Sequence, residues 1–185
     1  MSAPRPIDPS GEPELSVERF LRPLDVLRVD HDRQEVFCRR LDALAAEPRS
    51  EPDTDGFAAL LAHLTDELPI HTRDEEEDLF PLLLARALPV DGIDEVLAQL
   101  SREHALDIDL ADFIAADMRA VVEHIAQVPP MRFYINARAF AETQRRHLGW
   151  ENRLVLPLAR DRLTPLDLEV MGRKMAARRG LTYPD

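Results

Sequence analysis

Two segments of the sequence repeat one arrangement of a histidine, a glutamate and a proline. In each segment the glutamate follows the histidine by four residues and the proline follows it by ten. The residues are His71, Glu75 and Pro81 in the first segment, and His147, Glu151 and Pro157 in the second. A spacing of four places two side chains on one face of an α-helix, about one turn apart. The pattern therefore predicts two helices that each present an imidazole and a carboxylate on the same side.

Each segment is preceded by a lone histidine on an apolar helical stripe. His31 lies 40 residues before His71, and His104 lies 43 residues before His147, so the chain contains an inexact two-fold repeat. Buried without partners, these six ionisable side chains would each cost several kcal/mol. Four imidazoles and two carboxylates exceed the ligand set of a tetrahedral zinc ion and suit two metal ions bridged by the carboxylates. Nitrogen and oxygen ligands without thiolate are compatible with iron, manganese or zinc.

Apolar residues recur at spacings of three, four and seven, which predicts helices throughout the chain. The predicted helices span residues 23–46, 57–87, 91–127 and 131–160, and a short fifth helix spans 164–179. Pro69 and Pro81 fall inside the second helix, where each is expected to introduce a kink. Four long helices with short connections favour an all-α fold, an antiparallel up-down four-helix bundle. The inward positions expected after the paired ligands include Leu82, Leu154 and Leu158.

The chain has 185 residues, a formal net charge of -12 and one cysteine, Cys38. The length fits one domain, expected over residues 23–180 after a flexible, proline-rich lead-in over residues 1–22. The negative charge argues against nucleic acid or an anionic membrane as a partner. No apolar run approaches the roughly 18 residues that span a bilayer, and the N-terminus lacks a signal-peptide core. With one cysteine and no such segment, a cytoplasmic location is expected.

The fragments HTRDEEEDLFPLL and HLGWENRLVLPLA resemble the hemerythrin family, in particular its bacterial branch of His-His-Glu (HHE) cation-binding proteins. The resemblance covers about residues 23–160. It implies a hemerythrin-like bundle that holds two iron ions joined by an oxo or hydroxo group. The implied terminal ligands are His31, His71, His104 and His147, and the implied bridging ligands are Glu75 and Glu151.

Two positions differ from the oxygen-carrying members of the family. Those proteins have a second histidine one turn beyond the one on their third helix, where this chain has Ile108. They have an aspartate five residues after the last histidine, where this chain has Asn152. Ile108 is therefore expected to add an apolar wall to the site. The ligand set is more similar to members linked to iron–sulfur cluster repair, nitric oxide response or peroxide handling.

Five other residues that could be read as functional are expected to lie outside the ligand set. His63 and His124 are expected at the surface or at its boundary, and Cys38 is expected in the core. Asp78 and Glu35 are expected beside the ligands at most. For each of the five, the equivalent position in the other half of the repeat holds a different type of residue.

Three functions remain open on the sequence alone. The first is a di-iron redox enzyme that acts on peroxide, oxygen or nitric oxide and takes electrons from an unknown donor. The second is a module that stores, senses or carries iron or a diatomic gas without turnover. The third is a metal-free helical interaction protein, which the repeated ligand pattern disfavours. Ferritin-like bundles are also disfavoured, because they use a Glu-x-x-His spacing.

Overall fold

The computed structural model describes residues 17–46 and 54–184, and these residues form helices and no strand. The helices are α1 (Pro23–Ala46), α2 (54–86), α3 (Asp94–Val122), α4 (131–162) and α5 (Pro165–Arg178). Most of the expected lead-in lies outside the described residues, but its last part, Val17–Leu21, forms a 3₁₀ turn with Phe20 fully buried. The predicted all-α class and the five helices are confirmed. None of the described helices is long and apolar enough to cross a membrane.

Two apolar clusters show that α1 to α4 alternate in direction. The first cluster joins the starts of α1 and α3 to the ends of α2 and α4, and α5 adds Met171 and Met175 to it. The second cluster joins the ends of α1 and α3 to the starts of α2 and α4. This is the arrangement of an up-down four-helix bundle. Between the clusters, at mid-helix, lies a layer of buried polar residues that includes the six predicted ligands.

Two helices, α2 and α3, differ from the sequence prediction by three residues or more at one or both ends. α2 begins at Thr54, three residues before the predicted start. α3 is Asp94–Val122 instead of residues 91–127. Gly92 before its start and His124 after its end both have a left-handed φ of 57°. A left-handed residue takes the backbone out of the α-helical path, so α3 is shorter at both ends than the apolar pattern suggested.

In α2 and α4, the helix widens to a π-turn at each paired glutamate. These π-turns are Glu75–Leu79 and Glu151–Val155. A π-turn holds one more residue than an α-turn, so the inward face after it moves forward by one position. The predicted inward residues are consequently only partly buried: Leu82, Leu154 and Leu158. Their C-terminal neighbours are fully buried instead: Leu83, Val155 and Ala159.

A proline follows each π-turn of the described chain, six residues after the turn begins. The pairs are His63–Glu67 with Pro69, Glu75–Leu79 with Pro81, and Glu151–Val155 with Pro157. In each case the N–H of the residue before the proline donates to the carbonyl five residues back. Proline has no N–H, and its ring would clash with the carbonyl four residues back in a regular α-helix. The wider turn relieves this conflict, so both helices continue through their prolines.

Ion pairs between buried aspartates and basic residues hold α5 and the chain just after it against α2. Lys174 Nζ lies 2.9 Å from Asp78 Oδ1, and Arg178 contacts both Asp78 and Asp74. Arg179 lies 2.8 Å from Asp74. The sequence predicts for Asp78 a place beside the ligands at most, and its carboxylate instead pairs with α5.

Candidate metal centre

The six predicted ligand side chains meet between α1, α2, α3 and α4, and all are buried. They form two groups of four, and within each group the ligand atoms lie within 4.8 Å of one another. One group is His31, His71, Glu75 and Glu151, and the other is Glu75, His104, His147 and Glu151. Both glutamates belong to both groups. This is the geometry expected of two carboxylates placed between two metal positions.

Glu75 faces imidazoles from three helices. Its Oε1 lies 3.3 Å from Nε2 of His31 on α1. Its Oε2 lies 3.3 Å from Nε2 of His71 on the same helix and 3.3 Å from Nε2 of His104 on α3. The carboxylate thus lies between imidazoles of both groups.

Glu151 takes the equivalent place on α4. Its Oε1 lies 2.9 Å from Nε2 of His147, and its Oε2 lies 3.4 Å from Nε2 of His31. Oε2 of Glu151 and Oε2 of Glu75 are buried, and among the described residues they make no hydrogen bond of good geometry, although imidazole nitrogens lie 3.3 to 3.4 Å away. Buried carboxylate oxygens need such partners or a cation. These residues therefore fit a metal ion in each group.

The two lone histidines are oriented by residues from the opposite half of the repeat. Nδ1 of His31 donates to Asn152 Oδ1 at 2.6 Å, and Nδ1 of His104 lies 2.6 Å from Glu76 Oε1. Glu76 and Asn152 each directly follow a shared glutamate in the sequence. A proton held at Nδ1 leaves Nε2 as the metal-binding atom.

The two paired histidines have outer partners that also follow the repeat. Nδ1 of His147 lies 3.3 Å from Glu103 Oε2, and Nδ1 of His71 lies 3.9 Å from Asp30 Oδ2. Asp30 and Glu103 each directly precede a lone histidine. Sequence reasoning missed all four outer partners and treated Asn152 only as a departure from oxygen carriers. The signal was available, because these positions are polar in both halves of the repeat.

In the absence of metal, the carboxylates favour the protonated forms of His31 and His104. Burial alone would lower the pKa of His31, but the Glu75 hydrogen bond and the Glu151 charge raise it to about 9. Burial would also lower the pKa of His104, but Glu75 and Glu76 raise it to about 10. Burial would raise the pKa of Glu75, yet the surrounding imidazoles hold it well below its usual value. A metal ion must displace the imidazole protons, so metal affinity should fall as the pH is lowered.

On one side of the ligand layer lies an apolar face. It consists of four fully buried residues, each four positions from a ligand on its own helix: Leu27, Leu79, Leu100 and Val155. Phe80 adds to this side, with its ring stacked 5.8 Å from the ring of His104. These side chains offer no hydrogen bonds, and they separate the ligands from water on this side.

On the other side lies a polar face, consisting of Gln34, Asp107, Thr143 and Gln144. Gln144 Nε2 donates to Gln34 Oε1 at 3.4 Å, and Thr143 Oγ1 donates to Asp107 Oδ1 at 3.1 Å. Burial raises the pKa of Asp107. The expectation that Ile108 walls the site is wrong, because Ile108 is 50% exposed. Asp107 takes the inward position of α3, one turn beyond its histidine.

The residues expected to lie outside the ligand set do so, with one difference in burial. His63 is buried and stacks on Phe37, 4.3 Å between ring centroids. His124 is exposed beyond α3, and the Glu35 side chain is 44% exposed, near Arg39, so it does not lie beside the ligands. Cys38 is fully buried, and burial raises the pKa of its thiol to about 12. It is a core residue, as predicted.

Comparison with known proteins gives one family and two kinds of relative. The family described as the hemerythrin HHE cation binding domain matches residues 22–159. An uncharacterized protein of Haemophilus influenzae is 26% identical over 166 residues, which cover 85% of this chain and 90% of that protein. A phosphonoacetaldehyde hydrolase of Bacillus cereus is 32% identical over 111 residues, which cover 59% of this chain. The match spans 37% of that hydrolase, so its name describes a much longer protein.

The family match and the geometry agree. The matched range covers α1 to nearly the end of α4 and includes every residue of both ligand groups. The chain therefore belongs to the hemerythrin HHE cation-binding domain family, as its sequence resemblance predicted, and is a hemerythrin-like metal-binding domain.

Proposed function

We propose that the chain binds two iron ions and that this di-iron centre binds or reacts with small oxidants: peroxide, oxygen or nitric oxide. One iron would take His31 and His71, the other would take His104 and His147, and Glu75 and Glu151 would bridge them. The observation that carries the proposal is the membership of both glutamates in both ligand groups. The proposed location is the cytoplasm, where an electron donor would be available.

Iron is the proposed metal because of the chemistry that it supplies. Imidazole and carboxylate ligands also suit manganese and zinc, which are possible substitutes. Two ferrous ions supply two electrons, the number that reduces one hydrogen peroxide and two protons to two water molecules. Zinc has no redox chemistry of its own.

The protein's own residues would prepare the site for a small ligand. Asn152 and Glu76 fix the orientation of two imidazoles through their Nδ1 atoms. The apolar face excludes water, and the polar face offers hydrogen bonds to an incoming molecule. Asp107 also offers its Oδ2, which has no partner among the described residues, and burial raises the pKa of this carboxyl group.

Rapid mixing of the anaerobic, ferrous-loaded protein with peroxide or oxygen tests this function. We expect both to oxidise the iron, with no reversible oxygen binding, and we expect repeated peroxide consumption when a chemical reductant is supplied. A single round of oxidation without turnover would favour the alternative, a module that binds or senses iron or a diatomic gas. An optical spectrum that reverses when oxygen is removed would contradict the enzyme and indicate a carrier.

A further inference from the structure

A cavity of about 180 Å³ opens between α1 and α2, beside the metal centre. We name it the lateral cavity. The buried residues Gln34, His63, Leu68 and His71 line it, and Glu67 belongs to its more exposed wall, together with Asp30, Arg33, Asp66, Ile70 and Arg179. His71 is a proposed ligand, and Gln34 belongs to the polar face. The inner end of the lateral cavity therefore reaches both the outer side of a ligand ring and the polar face.

Two buried polar atoms on residues of the lateral cavity have no hydrogen-bond partner among the described residues. They are Gln34 Nε2 and His63 Nε2. Gln34 and His63 are 3% and 9% exposed, so these atoms lie away from the protein surface. A buried polar group left unsatisfied costs about 1–3 kcal/mol. The lateral cavity therefore suits an occupant that can hydrogen-bond to these atoms.

The available atoms define what that occupant must do. Nδ1 of His63 lies 3.1 Å from Glu67 Oε2, and since a carboxylate accepts, the proton is at Nδ1. In the tautomer with its one proton at Nδ1, Nε2 accepts a hydrogen bond. Gln34 Nε2 can only donate. The occupant must therefore both donate and accept hydrogen bonds, which hydrogen peroxide does and which oxygen and nitric oxide do not do effectively.

The lateral cavity lies beside features of α2 that the two-fold repeat does not reproduce on α4. It lies beside the π-turn His63–Glu67, which comes in addition to the π-turns at the two shared glutamates. On α4 the position equivalent to His63 is Ala139, in the regular α-helical part of the helix, Met131–Trp150. π-Turns are frequent at functional sites. The departure places a buried imidazole with an unpartnered Nε2 on the His71 side of the centre.

We propose that the lateral cavity is the site where hydrogen peroxide binds before it reaches the metal centre. This inference rests on the proposed function, because it names the oxidant for which that centre is built. A volume of about 180 Å³ accommodates peroxide together with several water molecules, each of which occupies about 30 Å³ in the liquid. Gln34 donates to the bound peroxide, and His63 accepts from it.

The first test measures binding in a protein that cannot react. Zinc-loaded, ¹⁵N-labelled protein is titrated with hydrogen peroxide, and the NMR signals of the Gln34 amide and the His63 ring are followed. We expect both signals to shift and to saturate together, while the exposed His124 ring does not shift. Unchanged Gln34 and His63 signals would overturn the inference even if the iron-loaded protein consumes peroxide.

The second test compares oxidants in the ferrous-loaded protein. Gln34→Leu and His63→Phe remove one hydrogen-bonding group each, and Phe can keep the stacking on Phe37. Each should slow oxidation by peroxide about fivefold to tenfold, which corresponds to one lost hydrogen bond. The rate of nitric oxide binding and the iron content should not change, and His124→Ala should match the wild type throughout.

The outcomes of the second test separate the inference from the proposed function. Equal slowing of peroxide and nitric oxide would show a general passage and overturn the assignment to peroxide. Unchanged peroxide rates in both variants would also overturn it. A wild-type protein that does not react with peroxide at all would overturn the proposed function, and the zinc-loaded titration would still decide whether peroxide binds in the lateral cavity.

Discussion

The two faces of the ligand layer lie one turn to either side of the same histidines and glutamates, yet they differ in chemistry. The apolar face closes the centre with four fully buried aliphatic side chains. The polar face places two amides, a carboxyl group and a hydroxyl at similar positions, and Gln34 continues it into the lateral cavity. The ligands follow a two-fold repeat, but their surroundings do not, because they are apolar on one side of the ligand layer and polar on the other.

This difference separates two tasks. Aliphatic side chains packed against the ligands stabilise the fold and keep water away, and a change there should affect stability first. Buried amides and carboxyl groups add little net stability, because their hydrogen bonds replace those made with water. The polar face should therefore matter chiefly for what reaches the metals. Substitutions in the ligand layer and in each face test this division of tasks.

The largest effect is expected in the layer between the two faces. Glu75→Ala or Glu151→Ala removes a carboxylate that belongs to both ligand groups. Metal content should fall sharply, and the melting temperature of the metal-treated protein should fall with it, because metal binding stabilises the folded state. Elemental analysis and thermal melting check this. Metal content equal to that of the wild type in both variants would contradict the claim that the two glutamates are shared ligands.

A matched pair of substitutions compares the two faces directly. Leu100→Ala leaves a cavity in the apolar face and should cost about 2–5 kcal/mol of unfolding free energy. Gln34→Leu keeps the volume of the polar face similar. It removes an amide whose Nε2 has no partner and loses one long hydrogen bond from Gln144, so it should cost about 1 kcal/mol. Urea unfolding at one fixed zinc concentration measures both. Equal costs would show that the faces do not divide the tasks.

A smaller effect depends on pH and concerns the polar face alone. Burial raises the pKa of Asp107 above its unfolded value, so folding disfavours the ionised carboxyl group. The wild type should therefore lose stability as the pH rises from about 3.8 through the folded pKa. Asp107→Asn has no such loss and should be the more stable protein at neutral pH. Urea unfolding should show that this gain in unfolding free energy disappears near pH 3.8. A gain that persists at that pH would show that ionisation of Asp107 is not its cause.

The smallest effect is expected outside both faces. His124 adopts a left-handed φ of 57°, which costs a non-glycine residue about 1 kcal/mol. His124→Gly should therefore raise the unfolding free energy by up to about that amount. Metal content should stay at the wild-type level, because His124 is exposed at the end of α3. Loss of metal in this variant would show that the helix assignment is wrong.

Much of this structure follows from local sequence patterns. Helical periodicity located four helices. Thr164 followed by Pro165 is typical of a helix start, and the Thr164 hydroxyl indeed caps α5 by accepting from Asp167 N. The repeated spacing also selected the side chains that the fold brings together at mid-bundle. These features depend on spacing along one helix or on residue type, and both can be read from the sequence.

The errors came from features that depend on the backbone or on packing between helices. A regular 3.6-residue period placed Leu82 inward, but the π-turn at Glu75 moves that position to Leu83. Counting four residues from His104 selected Ile108, whereas contact with Thr143 on α4 shows that Asp107 takes the inward position. The buried stacking of His63 on Phe37 requires α1 and α2 to be packed together, which no local spacing reveals.

Metal stoichiometry tests the central claim most directly. The protein is purified anaerobically, loaded with ferrous iron and freed of excess metal, and iron and protein are then measured in the same sample. Because each glutamate belongs to both ligand groups, we predict two iron ions per chain in the wild type. One iron ion per chain, or none, would contradict the account.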